Sequence, residues 1–134
     1  MLKHLLSVLG FIVVSFTVQG LNHFVINKAH YDAIEFARAE PVIALGILAM
    51  IIQGLILSLA MVKVAPNGAN VKDGLLVSVA FGLFLASYIA LAEPAKYAAP
   101  SILSWFLTEG LVSTIQFVLF GVVLGLIHQK LAGK

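Results

Sequence analysis

His23, Glu40, Glu93 and Glu109 are four ionisable residues spaced so that one bundle of helices could hold them at a single depth. One imidazole and three carboxylates make a donor set for a hard or borderline divalent cation, or a carboxylate cluster that shares protons. The spacing names no metal: HExxH and the Glu-x-x-His pair of di-iron bundles are both absent. His30 beside Asp32 lacks the spacing of a ligand set. The chain has no cysteine, serine-elbow pattern, P-loop, Rossmann glycine set or haem-attachment motif. No cofactor is implied by motif, and the balance leans away from an enzyme. His4 and His128 fall at the opposite end from His23, which makes them poor candidates for haem ligation across a bundle.

A second set is polar but uncharged. Ser15, Gln19, Asn22 and His23 share one face at helical spacing, and Thr108, Glu109, Ser113 and Gln116 do the same further on. Gln53 stands alone in an apolar run. An unpartnered amide in hydrocarbon is costly, so these faces must turn inward or toward another chain. They serve either as interhelical hydrogen bonds or as a polar vestibule of Gln19, Asn22, Gln53, Ser113 and Gln116 leading to the ionisable level.

The elements that must position these groups are membrane helices. Of 134 residues, 61% are hydrophobic and 10% charged, against about 25% charged in a soluble domain. A span needs roughly 20 apolar residues. Four stretches qualify, at about 5–26, 41–62, 74–92 and 102–127. Short connections between uninterrupted apolar runs predict an all-α, polytopic, four-helix up-down bundle in a single domain. The N-terminal stretch resembles a signal peptide, but its apolar run continues to about Ile26, so a retained span is expected. Pro66–Gly68 reads as a turn, Asp73 as the cap of span three, Pro41 as the first turn of span two, and Glu93-Pro94 as the end of span three. Residues 27–40 form the outer loop. Within it, HYDAIEFARAEP predicts a short interfacial helix, with Asp32 and Glu35 as a capping box. Tyr31, Glu35 and Arg38 share one side of that helix; Ile34 and Ala37 give the other some apolar character.

Lysine and arginine set the orientation. Lys3, Lys63, Lys72, Lys130 and Lys134 lie with the termini; Lys28, Arg38 and Lys96 lie opposite. Both termini are therefore expected in the cytoplasm. The net charge of +2 contains no basic run, so nucleic acid is not an expected partner. NKAHYDAIEFARAEP and AEPAKYAAP also suggest two hairpins of one plan, each a span, an outer segment with Lys, Tyr and Glu-Pro, and a return span. Small residues mark candidate packing faces: Gly82 with Ala86 in span three, Gly121 with Gly125 in span four, and Gly46 and Gly54 in span two.

AEPVIALGILAMIIQGL (39–55) and ASYIALAEPAKYAAPSILSWFLTEG (86–110) resemble stretches of small bacterial four-span membrane proteins of unknown function. That resemblance implies the topology alone and supplies no site residue; the expected location is a bacterial cytoplasmic (inner) membrane. Two functions are compatible with these features. One is a structural or accessory protein, as a homo-oligomer or within a larger membrane complex. The other is a binder or transporter of a small cation, proton or small solute, with His23, Glu40, Glu93 and Glu109 as ligands.

Overall fold

The computed structural model describes residues 1–36, 38 and 40–132. Ala37, expected in the loop helix, Ala39, which opens one of the resembling stretches, and Lys134, counted with the terminal lysines, lie outside the described residues. Among the described residues four helices are long and apolar enough to span a membrane: Leu2–Ile26, Ile43–Val64, Val71–Lys96 and Ile102–Lys130. The chain is an all-α bundle. Its long helices are α1 (Leu2–Leu21), α3 (Ile43–Val64), α4 (Val71–Ser87) and α6 (Ile102–Lys130). Two short helices, α2 (Lys28–Asp32) and α5 (Glu93–Lys96), lie at the distal end of the bundle, opposite the end that carries both termini.

Local chemistry moves several boundaries from their expected places. Asn70, not Asp73, caps α4: its side chain accepts from the Lys72 and Asp73 amides, while Asp73 accepts from the Asn70 amide. Asp73 is therefore the third residue of a reciprocal capping box. Pro41 precedes α3, which opens at Ile43. Span three does not end before Glu93-Pro94. It widens into a π-helical turn at Tyr88–Ala92, and Pro94 falls in the first turn of α5, where its missing N–H costs nothing. In the long connection the helix covers Lys28–Asp32. Asp32 does not open a helix there; it ends α2 and pairs with Lys28. The Pro66-Asn67-Gly68 turn forms, with Gly68 at φ 132°, a conformation that favours glycine.

α6 runs the length of the bundle with a continuous buried stripe of Trp105, Glu109, Val112, Gln116, Phe120, Leu124 and His128 among others. It packs along α4 and α1, while α1 packs along α3. Small residues set the approach. A Cβ on Gly125 would lie 2.6 Å from the Val71 Cα, and one on Gly82 would lie 2.5 Å from the Phe117 ring. Gly121, Gly125, Gly82 and buried Ala86 thus belong to a seam within the chain, joined by Gly74. Phe11, Leu57, Met61, Val77, Phe117, Phe120 and Leu124 form the apolar core, displaced toward the terminal half.

The two hairpins repeat one contact. A Cβ on Gly54 would stand 3.0 Å from the Val8 Cα, and one on Gly121 would stand 2.9 Å from the Leu75 Cα. Both partners have moved on by 67 residues (8 to 75, 54 to 121). Ser58 meets His4 as Gly125 meets Val71, again 67 residues on. Spans one and three each end in a five-residue π-helical turn, Asn22–Ile26 and Tyr88–Ala92, followed by a short helix. The two hairpins thus share a parallel span–turn–span plan, the arrangement of repeats related by an axis along the membrane normal.

The copies differ at the distal end. On α3 the buried residues are Gly54, Leu57, Ser58 and Met61, all in the terminal half. Pro41 to Ala49 are exposed throughout. The distal half of α3 therefore stands away from the bundle and opens it.

Candidate functional site: a carboxylate cavity at the distal end

The opening is a cavity of about 750 Å³. Its walls come from four sources: His23 and Phe24 in the first π-helical turn; Lys28, Tyr31, Asp32, Ile34, Phe36 and Arg38 in the connection; Pro41, Val42 and Leu45 at the start of span two; and Glu93, Trp105 and Glu109 from spans three and four.

Glu109 is the most buried acid in it, 8% exposed. The Tyr31 hydroxyl donates to its Oε1 at 2.6 Å. Asn22 Nδ2 donates to the Tyr31 oxygen at 2.5 Å, and Asn27 Nδ2 donates to Asn22 Oδ1 at 2.6 Å. Every bond in this chain points its donor toward the carboxylate, which suits a negative charge at its end. Burial, and after it the bond to Glu109, push the Tyr31 phenol well above its ordinary pKa. The proton therefore stays on Tyr31, which remains a donor. The π-helical turn supports this local order: it carries buried Asn22 and leads directly into α2, where Tyr31 lies.

Three rings complete the wall. His23 stacks on Tyr31 with centroids 3.7 Å apart and planes 19° apart. His23 Nδ1 lies 2.9 Å from the Gln19 carbonyl and must carry a proton to bond there. Trp105 Nε1 donates to the Ile89 carbonyl at 2.9 Å, inside the second π-helical turn. Phe36 lies 6.3 Å from Trp105 and 5.1 Å from Tyr97, which ties the long connection down over the site. His30 packs edge-on against Tyr31, and its buried Nε2 has no hydrogen-bond partner among the described residues.

Of the four ionisable residues singled out in the sequence, the structure brings His23, Glu93 and Glu109 to one cavity. Glu40 is exposed in the connection and does not line it. Among the described residues no three His, Asp or Glu side chains come close enough to hold a metal ion.

The polar residues nearer mid-bundle divide into two groups. Asn22 belongs to the Tyr31 chain. Gln19, Gln53, Ser113 and Gln116 line a second, smaller cavity of about 210 Å³ with Ser15. Gln19 Nε2 donates to Gln116 Oε1 at 2.7 Å, and Gln116 Nε2 donates to Ser15 Oγ at 2.9 Å. Phe117 closes that space on the terminal side, with Phe11 and Phe120 buried beyond it. Polar character thus runs from the distal end to mid-bundle and stops at an apolar plug.

A further cluster lies on the terminal side of the plug. Ser58 Oγ stands 2.9 Å from both His4 Nδ1 and His128 Nε2. Ser7 Oγ donates to the Lys3 carbonyl and lies 3.3 Å from His128 Nε2. Neither Tyr31 as the partner of Glu109 nor this His–Ser group stands out from spacing. His4 and Ser7 near the start of span one, Ser58 near the end of span two and His128 near the end of span four are the only trace of the latter in the sequence. No protein-family model, curated protein or solved structure matches this chain.

Proposed function

We propose that this chain is a small protein of the bacterial cytoplasmic membrane that binds a cationic small solute at the distal cavity. Glu109 carries the reading. A carboxylate only 8% exposed within a span, held by a tyrosine that does not readily surrender its proton, is costly unless something positive visits it. Glu93, aromatic walls and an imidazole around it suit a cation. The lysine asymmetry supports an outward-facing site, with the termini in the cytoplasm. The apolar plug supports binding over conduction in this conformation.

Trp105, the chain's one tryptophan, lines the cavity and reports occupancy. Titrating the detergent-purified protein with methylammonium or tetramethylammonium should give a saturable fluorescence change that Glu109→Gln removes. Absence of any Glu109-dependent change would refute the reading. The accessory function remains a second reading on one observation: the distal half of α3 is uncovered by the rest of the chain, a face for a second copy or a larger complex. The seams at Gly54, Gly74, Gly82, Gly121 and Gly125 give it no support, because helices of the same chain occupy them, whereas Gly46 has nothing within 4 Å.

A further inference from the structure

We infer that the cation taken by the distal cavity is amphiphilic: an alkylammonium whose head sits at Glu109 and Glu93 and whose chain leaves between the detached half of α3 and the rest of the bundle. The inference rests on the cation-binding reading and adds the class of ligand and its route. Three observations carry it.

The wall of the cavity on the α3 side is Val42 and Leu45, apolar residues of a segment exposed from Pro41 to Ala49. In a bilayer those residues face hydrocarbon, so the cavity is continuous with the lipid. Phe24, 70% exposed, lines it as well.

Polarity is also ordered in one direction. The acid that is buried is Glu109, within α6, whereas the positive side chains, Lys28 and Arg38, are in the connection. Lys28 is paired with Asp32. A hydrophilic cation arriving from water would pass Arg38 at the cavity wall, since Lys28 is neutralised by Asp32. An amphiphile arriving through the α3 gap meets apolar side chains and then the carboxylates, with its tail still in hydrocarbon.

The shape of the donor set agrees. Glu93 and Glu109 beside aromatic rings, with no group of three His, Asp or Glu side chains placed to hold a metal ion among the described residues, suit a diffuse ammonium more than a bare metal ion.

The test is a chain-length series read by Trp105 fluorescence, on the full chain in maltoside micelles. The probes are tetramethylammonium, butyltrimethylammonium and octyltrimethylammonium, with octanol as the uncharged control. The half-saturating concentration should fall by about tenfold or more from the tetramethyl to the octyl compound, as methylenes are buried. Octanol should give no saturable response, and Glu109→Gln should abolish the ammonium response. Glu93→Gln should weaken it, which keeps the test valid if Glu109→Gln does not fold. Leu45→Asn, at an exposed position, should shrink the chain-length gain and leave tetramethylammonium binding in place. Equal half-saturation across the series, still Glu109-dependent, would overturn the amphiphile while the cation site stood. An octanol response equal to that of octyltrimethylammonium would overturn it too. No Glu109- or Glu93-dependent response to any ammonium would sink both readings.

Discussion

The hydroxyl of Tyr31 donates to the carboxylate of Glu109 at 2.6 Å, across 78 residues of sequence. One partner is in a connection and the other is buried in the longest span. This bond ties the floor of the distal cavity to its cover.

Tyr31→Phe keeps the ring and its stack on His23 but removes the hydroxyl. Asn22 Nδ2 and Glu109 Oε1 each lose a partner in a mostly buried place. We expect a loss of about 1–3 kcal/mol, read as a lower unfolding midpoint in detergent. Ammonium titration of the same variant should give weaker binding. An unchanged midpoint would mean that water replaces the hydroxyl at no cost.

The same group predicts a pH dependence. Its folded pKa is raised above the ordinary value of 10.0, by burial first and the Glu109 bond second. A raised value means that folding favours the protonated phenol. The contribution is complete below about pH 10 and is lost as pH rises toward the folded value. Unfolding midpoints measured from pH 8 upward should therefore decline above about pH 10 in the wild type, and Tyr31→Phe should remove that part of the decline. Phenolate absorbance should show one of the three tyrosines resisting titration until the protein unfolds.

Glycine substitutions should divide by location. A Cβ at Gly74 would run into the Gly121 carbonyl, and one at Gly125 would lie 2.6 Å from the Val71 Cα, so Ala at either must push α4 and α6 apart. Each should cost about 1–3 kcal/mol or more. Gly46 in α3 has nothing within 4 Å of a built Cβ, so Gly46→Ala should be neutral or stabilising by up to about 1 kcal/mol. Thermal midpoints of the three variants give the comparison; equal effects at Gly46 and Gly74 would contradict the packing.

Gln19 and Gln116 form a pair that a double-mutant cycle can resolve. Gln19→Leu alone strands Gln116 Oε1, and Gln116→Leu alone strands both Gln19 and Ser15. Each single change should cost more than half of the double change. The coupling should be about 0.6 kcal/mol, the average for interhelical bonds in a membrane, and at most about 1.7. Strict additivity would show that the amides find water in the small cavity instead of each other.

Class and topology are written in the amino-acid order itself. Four apolar runs without strand-like alternation, separated by short polar segments, select helices, because hydrocarbon makes the backbone bond within itself and barrel strands would alternate. The common plan of the two hairpins is legible too, through segments as unlike as NKAHYDAIEFARAEP and AEPAKYAAP. Counting residues from the span ends places His23, Glu93 and Glu109 at one level. Lengths along a helix are additive, so depth can be counted.

Azimuth and detachment cannot be counted, and they decide the rest. Each π-helical turn inserts an extra residue and rotates the chain beyond it, and Tyr31 reaches Glu109 although no spacing rule links them. Glu40 is as good a candidate as Glu93 by depth. It is exposed in the connection while Pro41 and Val42 beside it line the wall, and the glycine and serine contacts that draw α3 in lie nearer the termini, at Gly54 and Ser58. Only the packed structure shows which side of a helix faces inward and where two helices part, because both arise from many small contacts between residues distant in the chain.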